Sequence, residues 1–109
     1  MAARSEPRRF GHPYPVVVEA CINALPTHGF RLRTADEAKG VIEIERGWSR
    51  WSCGEVITIH IGAEDSTSTS MVLDSSLKSL GFATRAHPRN FAAVFAALDS
   101  YLSFYYGRV

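Results

Sequence analysis

EVITIHIG, residues 55–62, sets Ile57, Ile59 and Ile61 at alternate positions, with Val56, Thr58 and His60 between them. Successive side chains of a strand point to opposite faces, so this spacing predicts a strand with one apolar face. A slip of one residue would turn all three isoleucines to water, and this fixes the register. The same period runs through the neighbouring stretches. Upstream, Phe30, Leu32 and Thr34 alternate with Arg31 and Arg33, and Ile42 and Ile44 alternate with Val41, Glu43 and Glu45. Downstream, Thr69, Met71 and Leu73 alternate with Ser68, Ser70, Val72 and Asp74. The polar stretches ADEAKG and GAEDS separate these runs as turns do. Four such runs predict an antiparallel four-stranded meander with one buried face. On the other face Arg31 and Arg33 are expected beside Glu43 and Glu45, as solvated ion pairs of small energetic weight.

The flanks change period. Pro15 suits a first helical position, and Val17, Val18, Cys21, Ile22 and Leu25 recur at helical spacing until Pro26 stops the helix and Gly29 provides the exit. In HPRNFAAVFAALDSYLSFYYG, residues 87–107, Phe91, Val94, Phe95, Leu98, Leu102 and Tyr105 form a stripe over about five turns. Pro88 fits the first turn and Gly107 the position just past the end. The order αββββα predicts an α+β two-layer sandwich, with the N- and C-terminal helices on the isoleucine face of the meander. Residues 1–13, with Pro7, Gly11 and Pro13, read as a flexible basic arm, and residues 14–109 as one α+β domain.

The totals exclude several classes. A chain of 109 residues with 46% hydrophobic and 21% charged residues has the composition of one ordinary globular domain. The formal net charge is +1, so no global field favours a polyanion. Arg4, Arg8 and Arg9 cluster near the N-terminus, but nucleic-acid binding needs a basic face and is not expected. No apolar run reaches the ~20 residues of a membrane span, and a cytoplasmic location is expected. Cys21 and Cys53 match no metal or redox spacing and are expected to be free thiols. His12, His28, His60 and His87 are dispersed, so no metal site and no cofactor are expected.

Two segments hold the remaining chemistry. WSRWSCGE, residues 48–55, bridges two of the strands, and its Trp48, Arg50 and Trp51 offer a stacking or cation–π surface to a partner. Residues an odd number apart on a strand face opposite ways, and Trp51 shares the parity of Ile57, Ile59 and Ile61, which makes it the expected buried indole. Lys78, Arg85, His87 and Arg89 gather before and within the first turn of the last helix, where free N–H groups favour an anion. At the other end of that helix, Phe104 and Tyr106 lie off the main stripe and predict an exposed aromatic patch suited to a protein partner or to self-association.

The string WSCGEVITIHI, the Ser/Thr-rich strand ending VLDSS, and Asn90 before the last helix resemble a group of small, mostly uncharacterised bacterial domains with a helix–four strands–helix order and a W-S-x-G-E-x-I-x-I core. The resemblance runs from Val16 to Leu102 and rests on Trp51, Ser52, Gly54, Glu55, Ile57, Ile59, Ser75 and Asn90. It departs in LGFATRAHPRN, which lacks the acidic residue of that pattern. The resemblance implies the fold and no activity. The expected function is a non-catalytic binding or protein-interaction module. The alternative is a small anion-ligand-binding protein or enzyme centred on Arg85, His87 and Arg89.

Overall fold

The computed structural model describes residues 2–48, 53–77 and 86–107. Along the chain these form β1 (Ala2–Arg4), β2 (Arg8–Phe10), α1 (Tyr14–Ala24), a one-turn 3-10 helix (Leu25–His28), β3 (Arg31–Asp36), β4 (Val41–Trp48), β5 (Cys53–Ala63), β6 (Thr69–Leu77) and α2 (Ala86–Tyr106). The protein is α+β, with two helices and one antiparallel sheet. Its strands run β1-β6-β5-β4-β3, with β2 also paired to β6.

The isoleucine alternation holds without a slip. Ile42 pairs with Ile59 and Ile44 with Ile57, while Ile59 pairs with Leu73 and Ile61 with Met71. All of these are buried in one cluster with Val17, Val18 and Cys21 of α1 and Val94, Leu98 and Leu102 of α2. Both helices therefore cover the face that carries the isoleucines. Pro26 acts as expected: the α-helix ends at Ala24, the chain tightens into the 3-10 turn, and Gly29 leaves it at φ 86°. At the close of α2, Gly107 takes φ 71° and its N–H donates to the carbonyl of Ser103.

Among the described residues six strands stand where four were expected. The additional two come from the segment that reads as an arm, because they cover the free edge of β6. β1 pairs with Asp74–Ser76 and β2 with Thr69–Met71. The stretch between them contains Pro7, which has no N–H for a ladder and interrupts the edge. Ser5 replaces the lost pairing, since its N–H donates to the carbonyl of Leu73 and its Oγ accepts from the N–H of Leu73. Phe10 then enters the core. The three arginines of this segment are each paired with a carboxylate of the folded domain: Arg4 with Asp74 at 2.7 Å, Arg8 with Asp99 at 2.6 Å, and Arg9 with Glu64 at 2.9 Å. Two hydrogen bonds and the charge of Arg4 hold the Asp74 carboxyl below the usual carboxylate range.

Smaller departures follow from local geometry. A register shift between Leu32 and Thr34 absorbs Arg33, so Thr34 loses the inward parity of Leu32 and is exposed. Ile22 stands at the margin of the α1 stripe and is partly exposed. On the outer face Arg33 lies 3.9 Å from Glu43 and Arg31 pairs with Glu45, as expected. Glu45, however, is buried and not solvated, and the guanidinium of Arg31 supplies the counter-charge that a buried carboxylate requires.

Candidate functional site

α2 runs on to Tyr106, past its last buried side chain. Leu102 is the last of its side chains in the core, with 4% exposure. Within the next turn Phe104 is 79% exposed and Tyr105 63%. Tyr105 therefore departs from the buried stripe in which its spacing placed it. With Tyr101, these rings form one wall of a groove of about 510 Å³, whose other wall is the end of α1 and the 3-10 turn, through Asn23, Ala24, Thr27 and His28. The rings pack on one another: Tyr101 and Tyr105 lie 4.6 Å apart between centroids, and Phe104 meets Tyr105 edge-on at 4.8 Å. Such pairings fix the rings in place.

A hydrogen-bond network anchors the wall. Tyr101 and Tyr106 both donate to Oε2 of Glu19 at 2.8 Å, and Nδ2 of Asn23 donates to the hydroxyl of Tyr101 at 3.1 Å. The hydrogen bond to Glu19 raises the Tyr106 phenol above its usual range. For Tyr101, the Asn23 hydrogen bond lowers the value, but burial, Glu19 and Tyr105 together outweigh it and the net direction is up. On the other wall, Oγ1 of Thr27 donates to the carbonyl of Ala24 at 2.8 Å. Nδ1 of His28 stands 2.9 Å from the same carbonyl oxygen.

A second polar feature lies inside the fold. Glu55 of β5, Ser75 of β6 and Asn90 of α2 converge beneath the start of the helix. Ser75 donates its hydroxyl to Glu55, and Nδ2 of Asn90 donates to Oε1 of Glu55 at 2.7 Å. The carboxylate is only 2% exposed. Arg46, across the ladder from Glu55, stacks instead on Phe30 at 4.7 Å. These three residues belong to the motif that carried the bacterial resemblance, and what they do is tie α2 to the middle of the sheet.

The residues singled out from sequence separate clearly. Phe104 lines the groove. Tyr106 is 41% exposed, but its hydroxyl is held by Glu19 and its ring meets His12 edge-on at 6.0 Å, so it braces the groove from outside. Tyr101, Tyr105, Asn23, Thr27 and His28 were not anticipated; the density of aromatics in YLSFYY was the available signal. β4 and β5 pair as far as Trp48 opposite Cys53, with the register unchanged across Gly54 at φ 79°. Arg50, Trp51, Lys78 and Arg85 lie outside the described residues, as do the side chains of Trp48 and His87. Arg89 is described and is exposed in the first turn of α2. Among the described residues no group of His, Cys, Asp or Glu is arranged to hold a metal. No described helix is long and apolar enough to cross a membrane.

The chain resembles several solved structures over nearly its full length. A Streptomyces aromatase/cyclase aligns with a TM-score of 0.65 at 13% identity, covering 100% of both chains. Ara h 8.0201 aligns with a TM-score of 0.62 at 10% identity, covering 94% of this chain and 98% of its own. An uncharacterised Bacillus thuringiensis protein aligns with a TM-score of 0.61 at 8% identity, covering 90% and 96%. The fold is of the helix-grip kind. At such low identities the likeness extends to the fold alone, on which many unrelated functions are built. No family model and no curated protein matches the chain.

Proposed function

We propose that the protein is a non-catalytic binding module that captures its target in the groove between the end of α1 and the last turns of α2. One observation carries this reading: Phe104 and Tyr105 stay largely in solvent on a helix that buries Val94, Leu98 and Leu102 completely or nearly so. An exposed, mutually packed aromatic cluster rimmed by polar side chains is the surface of a binding site. Tyr101, on which Tyr105 packs, is held by Glu19 and Asn23 before any ligand arrives, which lowers the entropy cost of binding. A helix-grip fold is compatible with ligand binding and does not by itself specify it.

Titration with a solvatochromic apolar dye such as Nile red tests the reading. The native chain should bind dye with blue-shifted emission, and the Phe104→Ser, Tyr105→Ser double variant should lose that signal. Both positions are exposed, so the variant should keep its fold, with each substitution within about 0.5 kcal/mol of neutral. Unchanged dye binding in a folded double variant would remove the groove as the binding surface.

A further inference from the structure

The polar groups of the groove are not all free to choose a role, and this restricts the ligand. We infer that the groove takes an uncharged planar molecule that presents a hydrogen-bond donor, a hydroxyl or N–H, to Nε2 of His28. This inference rests on the groove being the binding surface, as proposed above.

The tautomer of His28 follows from its contacts. A carbonyl oxygen can only accept, so the 2.9 Å contact from Nδ1 to the carbonyl of Ala24 requires the proton on Nδ1. Oγ1 of Thr27 points its own proton at that same carbonyl, and its oxygen is left to face Nδ1 of His28 at 3.1 Å. In the neutral ring Nε2 is then a bare acceptor. Asn23 does not discriminate: one amide N–H donates to Tyr101, and the second N–H and Oδ1 offer a donor and an acceptor. The hydroxyls of Ser100 and Tyr105 serve as donor or acceptor and do not discriminate. The one lining group confined to a single role is therefore Nε2 of His28, an acceptor, and it calls for a donor on the ligand.

Charge and size complete the restriction. The residues that line the groove include no permanently charged side chain. The nearby Glu19 is engaged by two phenols. An ionic ligand would lose hydration without gaining a counter-charge. The volume of about 510 Å³ falls within the usual range for small-molecule sites, ~300–1,000 Å³. Packed rings at its wall favour a planar partner.

Heteronuclear NMR titration of the full chain with 2-naphthol and with naphthalene, in mildly alkaline buffer, tests the inference. Both probes should shift resonances at the end of α1 and in the last turns of α2, and Phe104→Ala should weaken both. His28→Phe should weaken 2-naphthol about 3- to 10-fold, the scale of one hydrogen bond, and leave naphthalene nearly unchanged. Naphthalene thereby reports whether the variant keeps its groove. If 2-naphthol and naphthalene respond alike to His28→Phe, the inference fails while the groove reading stands. If neither probe perturbs the groove, both fail. Concentration-dependent dimerisation abolished by Phe104→Ala would make the occupant a second copy of the chain and would overturn the small-molecule assignment.

Discussion

Phe10→Ala distinguishes a docked edge from a loose arm more sharply than any other single change. Phe10 is 5% exposed, and it packs into the core with its ring 6.4 Å from that of Phe95. The guanidinium of Arg8 lies over both rings, at 5.3 Å and 5.0 Å. A phenylalanine buries at least ~150 Å², and at ~25 cal/mol per Å² its transfer contributes about 3–4 kcal/mol. The tilted pair with Phe95 adds roughly 0.5–1 kcal/mol, and the cation–π contact of the partly exposed Arg8 adds about 0.5 kcal/mol. Partial collapse at the sheet margin offsets some of this, so the expected loss is about 3–4 kcal/mol, within the range for such truncations. Urea denaturation followed by circular dichroism should show a lower midpoint at unchanged slope, and Tm should fall by about 15 °C. A loss below about 0.5 kcal/mol would mean that residues 8–10 contribute no more than a surface segment, and the docked edge would be refuted.

Three further outcomes are expected. Gly40→Ala should destabilise the fold by more than about 2 kcal/mol in thermal melts, because Gly40 has φ 71° and an added Cβ would lie 2.2 Å from the carbonyl oxygen of Ile61; a change within experimental error would show that the β3–β4 turn can relax. Asn90→Ala removes an amide donor from the buried Glu55 and should cost about 1–3 kcal/mol, with α2 amides near the start of the helix losing hydrogen-exchange protection first; uniform loss of protection along α2 would contradict a local tie. Burial pushes the Cys21 thiol from 9.0 up to about 12, so the folded chain keeps a proton that the unfolded chain releases. That contribution is complete below pH 9.0, falls away as pH rises toward about 12, and should make the native chain lose stability over this window more steeply than Cys21→Ala does.

The sheet was legible because its information is local. Ile57, Ile59 and Ile61 alternate within one segment, and the facing strands alternate in step, so parity alone places every isoleucine of the sheet on the buried face. Pro26 and Gly29 announce the end of the first helix for equally local reasons, a missing N–H and a positive φ. The N-terminal strands gave no such signal. Three-residue pairings are too short to show a period, and Pro7, Gly11 and Pro13 supply every cue for a loop. What makes them strands is the open edge of β6, some sixty residues away, and the carboxylates Asp74, Asp99 and Glu64 that meet Arg4, Arg8 and Arg9.

The candidate site divides along the same line. YLSFYY shows that aromatics are concentrated at the end of the last helix, and Phe104 was singled out from that density. The buried stripe could not show where it would stop, because helical periodicity is the same whether or not another element covers that face. Tyr105 keeps the phase of Leu98 and Leu102 and is nonetheless in solvent. Likewise Glu55, Ser75 and Asn90 were noticed as members of a pattern, with nothing in their spacing to bring a hydroxyl, a carboxylate and an amide together. The sequence by itself determined the strand faces, the helix ends and an aromatic C-terminus, since each depends on residues a few positions apart. Tertiary structure alone decided which edge residues 2–10 cover, which aromatics are left in water, and that His28 joins them along one groove, since each of these depends on which distant elements meet.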